Sequence, residues 1–152
     1  VELYLVQHGE ARPESEDPAR ALSARGRQAV ERVARAAARS GVRPAWVAHS
    51  GKLRARQTAE ILAEALRPPR GLREVAGLAP LDDPGTALAA LEREAEAQML
   101  VGHLPHLGRL ASRLVVGNES EIIAFRMGAI VCLVQREGAW RVAWILTPEH
   151  AT

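Results

Sequence analysis

The sequence predicts an α/β domain: a three-layer sandwich in which a mostly parallel central sheet is flanked by helices. Three observations carry this. Short aliphatic runs at Val1–Val6, Ala45–Ala48 and Gln98–Val101 read as buried strands. Amphipathic stretches of helical period lie between them, and strand–helix alternation implies a parallel sheet covered on both faces. The 152 residues, 47% apolar and 25% charged, suit one domain spanning residues 1–152 with one core.

Each element follows from its local pattern. After Val1–Val6 comes a polar, Pro-containing loop, Gly9–Ala21. A helix then starts at Ser23, whose hydroxyl suits an N-cap, runs through Val30, Val33 and Ala37, and stops near Gly41. Leu53–Leu66 places Ile61, Leu62, Ala65 and Leu66 on a helical repeat and ends before Pro68-Pro69. Pro68–Pro84 is rich in turn residues, with a strand expected near Leu72–Val75. Thr86–Glu96 reads as a helix, and another follows Gly102–Pro105 through Leu107, Leu110, Ala111 and Leu114. Ile122–Phe125, Ala129–Val134 and Arg141–Leu146 read as strands, the last two joined by a hairpin at Glu137-Gly138. No repeat or long linker divides the chain.

Composition excludes several classes. Aromatics are 3% and the net charge is +2, so neither stacking platforms nor a basic stripe points to nucleic acid. No apolar run approaches the roughly 18 residues of a membrane span, so no membrane partner is expected. Cys132 is the lone cysteine and sits in an apolar run, which suits a buried thiol and a reducing, cytoplasmic setting.

The chemistry lies at three strand ends. The first strand runs into Gln7-His8-Gly9-Glu10, the second into His49-Ser50-Gly51 and on to Arg54, and the third into Gly102-His103-Leu104-Pro105-His106. In parallel sheets the ligand crevice lies outside the carboxyl ends of the strands, so these distant segments converge there. An imidazole with one nitrogen held and the other free is a nucleophile toward phosphorus, which casts His8 in that role. Arg54, near a helix start, offers a planar fork to phosphoryl oxygens, and Gly9 allows close backbone approach. His103, if protonated, would stabilise charge on the same oxygens. Histidine is also the commonest metal ligand, but no HxxxH or HxH pair lies on one element and no acidic partner recurs beside these histidines. No metal site is therefore expected. His49 and His106 are read as structural or peripheral.

These segments together resemble the histidine phosphatase superfamily, also called phosphoglycerate mutase-like, and most closely its short SixA-type phosphohistidine phosphatases. The resemblance rests on Val6-Gln7-His8-Gly9, on Arg20-Ala21-Leu22-Ser23-Ala24-Arg25-Gly26, on Ser50 through Thr58, and on Val101 through Gly108. It implies transient phosphorylation of His8, with Arg54 and His103 holding the phosphoryl group. Gln7, Gly9, Arg54 and Leu104 would form the phosphate-binding set, and no metal or organic cofactor is implied. It also implies a phosphorylated protein or a small phosphorylated compound as partner. Two departures stand out. Gln7 occupies the position where the family has arginine, which keeps an N–H donor but loses the charge. Gly77 falls where relatives carry an acidic residue, leaving Glu74 upstream as the candidate acid. The readings carried forward are a phosphohistidine phosphatase, a small-molecule phosphomonoesterase or mutase-like relative, and a phosphate-binding module without catalysis.

Overall fold

A computed structural model describes residues 1–151. The element order is β1 (Glu2–Gln7), α1 (Ala24–Arg39), β2 (Trp46–His49), α2 (Leu53–Leu66), β3 (Leu72–Glu74), α3 (Pro84–Leu91), β4 (Gln98–Gly102), α4 (His106–Val115), β5 (Ile130–Arg136) and β6 (Ala139–Leu146). A single turn of 3₁₀ helix follows at Pro148–His150. The six strands form one sheet in the order β3-β2-β4-β1-β5-β6. The β3–β2, β2–β4 and β4–β1 pairs are parallel, while β5 and β6 join antiparallel beyond β1. The strand that leads to His8 thus lies inside the sheet, bonded along both edges.

The two-residue period of β1 explains the two cores. Tyr4 and Val6 face a layer built with Val30 and Val33 of α1 and Ala59 and Leu62 of α2. Leu3 and Leu5 face the opposite layer, with Ala87 of α3 and Leu107, Leu110 and Ala111 of α4. Both layers are apolar and almost fully buried. The expected three-layer sandwich is therefore present, with α1 and α2 on one face and α3 and α4 on the other.

Local chemistry sets the boundaries. Ser23 caps α1 as expected, its Oγ accepting from the Gly26 N–H at 2.9 Å. α3 is shorter and earlier than the expected Thr86–Glu96. It starts at Pro84 because the Asp83 side chain accepts from the Gly85 N–H, and it ends before the charged run that begins at Glu92. Ile122–Phe125 is not a strand. The segment is irregular and lies at the surface; Ile123 and Phe125, both partly buried, pack against the α3–α4 core while Ile122 and Ala124 stay exposed. The remaining expected strands and helices occur within a few residues of their predicted bounds.

Candidate active site

Strand register assembles the site. Gln7 pairs with Gly102 across β1–β4, and His49 pairs with Val101 and Glu74 on its two sides. The residues just beyond these pairs therefore emerge along one edge of the sheet. His8 and His103 follow directly on neighbouring strands, and the His8 N–H donates to the Gly102 carbonyl at 3.1 Å. Their ring centroids lie 5.1 Å apart with the planes inclined by 52°.

The His8 ring is fixed by its own turn. Nδ1 lies 2.7 Å from the Gly9 carbonyl oxygen. A carbonyl only accepts, so Nδ1 carries the proton and Nε2 keeps its lone pair. Burial holds the His8 pKa below the usual 6.5; the Gly9 bond opposes this, and the charges of Arg54 and Arg20 add to the lowering. His8 is thus a neutral base with one defined reactive nitrogen.

Gly9 acts differently from expectation. Its N–H donates to Thr58 Oγ1 at 3.0 Å, and that hydroxyl donates to the Arg54 carbonyl at 2.8 Å. A Cβ on Gly9 would stand 2.7 Å from Val30 Cγ2. The missing Cβ permits contact with α1, and the Gly9 amide ties the His8 turn to α2 through Thr58.

Arg54 sits in that first turn, half-buried, with Nε shielded from solvent and unpartnered. Arg20 was not singled out from the sequence, yet its charge reaches both His8 and Arg54. It lies in the loop before α1 with φ of +52°, and its Nε donates to the Arg12 carbonyl at 3.2 Å. Neither Arg20 nor Arg54 forms an ion pair with a carboxylate among the described residues. Two guanidiniums without anionic partners beside a neutral imidazole make a site suited to an oxyanion. The signal for Arg20 was the Arg-x-Leu-Ser run; its position in an aperiodic loop hid it.

Ser50 is the second residue that sequence reasoning passed over. Its Oγ lies 2.6 Å from His103 Nε2, across 53 residues of chain. His103 is 1% exposed, and its Nδ1 has no partner. Burial, followed by the charges of His8 and Arg54, pushes its pKa down to about 3. Burial and these neighbouring charges oppose the expected protonated second imidazole, and an anion held between His103 and Arg54 would favour it.

The other expected residues separate by position. Gln7 Oε1 is buried without a partner, and Gln7 and Leu104 border a common cleft. The Glu74 carboxylate packs against Gly51, 2.8 Å from where a Cβ would stand, at the β2 turn that carries Ser50. His49 Nδ1 accepts from the Gly51 N–H at 3.0 Å and so braces that turn. His106 lies buried at the start of α4 with both ring nitrogens unpartnered. Among the described residues no three His, Cys, Asp or Glu side chains converge as a metal-holding group. Among the described residues no helix is long and apolar enough to cross a membrane.

Fold and site together define an α/β protein with two imidazoles and two guanidiniums gathered beside the carboxyl ends of its parallel strands. Residues 3–79 match the model of the histidine phosphatase superfamily, branch 1. An uncharacterized protein of Picosynechococcus sp. (strain PCC 7002) is 36% identical over 149 residues, covering 93% of this chain and 88% of that one. The structure of the protein histidine phosphatase SixA complexed with tungstate superposes with a TM-score of 0.86 at 26% identity, over 100% of both chains. The alpha-ribazole phosphatase of Shigella flexneri shares the fold, with a TM-score of 0.79 at 14% identity over 97% of each chain. The chain belongs to the histidine phosphatase superfamily, and its architecture is that of the SixA-type members.

Proposed function

We propose that this protein hydrolyses phosphorylated substrates, with phosphohistidine on a protein as the preferred class, through a phosphohistidine formed at His8 Nε2. The observation that carries the reading is the Nδ1–H bond from His8 to the Gly9 carbonyl, which leaves Nε2 as the free nucleophile beside two unpaired guanidiniums. In the first step Nε2 attacks phosphorus, a new N–P bond forms, and the bond to the leaving group breaks. The leaving nitrogen of a phosphoramidate takes a proton from solvent. Water then attacks phosphorus, the bond to Nε2 breaks, and phosphate departs. Arg54 and Arg20 hold the non-bridging oxygens, whose charge is the main thing catalysis must balance. His103, oriented by Ser50, contacts the same oxygens from the opposite side. His8, His103 and Arg54 thus take the catalytic roles, with Gln7 and Leu104 at the rim and Gly9 positioning His8.

Preference for phosphoramidates follows from the acid position. Gly77 supplies no proton, and Glu74 lies at the Gly51 turn, exposed to solvent. An alkoxide needs a proton from the protein, whereas a phosphoramidate nitrogen is readily protonated by water. The test is incubation with a small phosphoramidate, alkaline quench and peptide mapping. A phosphoryl group on His8, absent from His8→Ala, is expected. Turnover without that group, or labelling that persists in His8→Ala, overturns the reading. A second reading, a phosphate-binding module without turnover, is motivated by Gln7. Oxyanion binding with no labelling and no hydrolysis would select it.

A further inference from the structure

Beside the nucleophile turn the surface opens into a cleft of about 570 Å³. Gln7, the last residue of β1, and Leu104, next after His103, line it, so the cleft adjoins the turns that carry His8 and His103. One wall is a single stripe of α1: Arg25, Ala29 and Arg32 recur at the four- and three-residue spacing that stacks side chains along one helix face. Arg126, on the irregular segment before β5, also lines the cleft. Arg25 is paired with Glu10 at 2.8 Å, and Arg126 with Glu149 at 4.0 Å; both carboxylates line the same cleft. Arg32 forms no ion pair within 4.0 Å among the described residues, so the lining keeps a positive excess. Leu104, 40% exposed, and Met127, 45% exposed, add apolar surface.

We propose that this cleft is a subsite for the polypeptide flanking the phosphorylated residue, and that it selects acidic flanks. The inference rests on the phosphoprotein reading above and adds a sequence preference to it. A small metabolite is held by burying most of its surface, and an open cleft walled by exposed guanidiniums does not do that. An acidic segment needs no such enclosure. It meets Arg32 directly and competes with Glu10 and Glu149 for Arg25 and Arg126, while an apolar neighbour covers Leu104 and Met127. Charges at such a rim act on encounter and on the salt dependence of binding, so the preference resides in KM and weakens with ionic strength.

The test uses the full chain and the double variant Arg32→Glu/Arg126→Glu, which alters two exposed side chains outside the catalytic set. Three substrates are compared: a small phosphoramidate, a phosphohistidine peptide with Asp and Glu flanks, and the same peptide with Ser and Gln flanks. The wild type is expected to favour the acidic peptide by about tenfold in kcat/KM at low salt, chiefly through KM. The double variant loses that preference and cleaves the phosphoramidate at the wild-type rate. Equal rates on the two peptides, or a preference that survives charge reversal, overturns the proposal. Failure of the wild type on the phosphoramidate counts against the hydrolytic reading alone. The cleft is then judged by binding of the unphosphorylated acidic peptide: salt-sensitive binding lost in the double variant supports it, and equal or absent binding overturns it. An RNA oligonucleotide that binds through the same arginines more tightly than the peptide also overturns it.

Discussion

His8 and His103 follow directly on adjacent parallel strands with ring centroids 5.1 Å apart, yet their other contacts differ. His8 is held by a backbone carbonyl, and His103 by the hydroxyl of Ser50. The first arrangement fixes a proton at Nδ1; the second leaves the proton free to choose either nitrogen. His8→Ala should abolish phosphoryl labelling altogether. His103→Ala should retain labelling at a rate reduced about 100-fold or more, the usual loss when one oxyanion contact is removed. Rapid-quench labelling of both variants distinguishes the two roles.

Ser50→Ala removes the 2.6 Å contact to His103 without touching His8. A single neutral hydrogen bond contributes about 1 kcal/mol, so kcat should fall about fivefold while KM for a phosphoramidate stays constant. Ser50→Thr, which restores a hydroxyl, should recover most of the loss. A changed KM with unchanged kcat would place Ser50 in binding instead.

Gln7→Arg returns a guanidinium to the rim of the pocket. Hydrogen bonds to charged groups exceed neutral ones by a margin of about 1.5 kcal/mol, so phosphate affinity or turnover should rise by about tenfold. Inhibition by inorganic phosphate, together with kcat/KM on a phosphoramidate, reads both. No gain in either would show that the other cations already satisfy the oxyanion.

The Arg54 charge contributes to the lowering of the His8 pKa, so Arg54→Gln should raise it toward 6.5. Proton NMR titration of the His8 ring follows this directly. The same sign governs activity: wild-type His8 stays neutral to lower pH, and the acidic limb of the rate profile should move up in the variant. A His8 titration unchanged by the substitution would contradict the electrostatic account.

Buried histidines also set a pH dependence of stability. His8, His49, His103 and His106 all have folded pKa values depressed by burial below the unfolded 6.5. The unfolded chain therefore binds protons that the folded chain refuses, and stability present above 6.5 is lost as pH falls. Thermal melts should shift downward between about pH 7 and pH 5, above the range where Glu10 and Asp17 begin to protonate. His106→Leu removes two unpartnered ring nitrogens of similar volume. It should add about 1 kcal/mol near pH 6 and flatten the slope.

Much of the fold was legible because the informative patterns are local. The Val-Glu-Leu-Tyr-Leu-Val run, the Ser23 cap and the Pro68-Pro69 stop each act within a few residues. His8, Arg54 and His103 were legible because parallel strands must deliver their ends to one edge. What escaped depended on tertiary distance or aperiodic backbone. Ser50 and His103 meet across 53 residues, and Arg20 stands in a loop with no repeat to mark it. Ile122–Phe125 alternates like a strand because Ile123 and Phe125 pack on the core, but no neighbouring strand takes its backbone. Gly9 was assigned to ligand approach, whereas its missing side chain makes room for Val30.

The placement of β1 between β4 and β5 bears on how the molecule breathes. Its amides are covered on both sides, and they belong to the segment whose exposure requires the sheet itself to come apart. Hydrogen exchange at Leu3–Val6 should therefore be among the slowest in the chain, while β6 and the Ile122–Phe125 segment exchange early. His8 is thus anchored to the part of the protein that opens last, and partial melting of the C-terminal hairpin should precede any loss of its geometry.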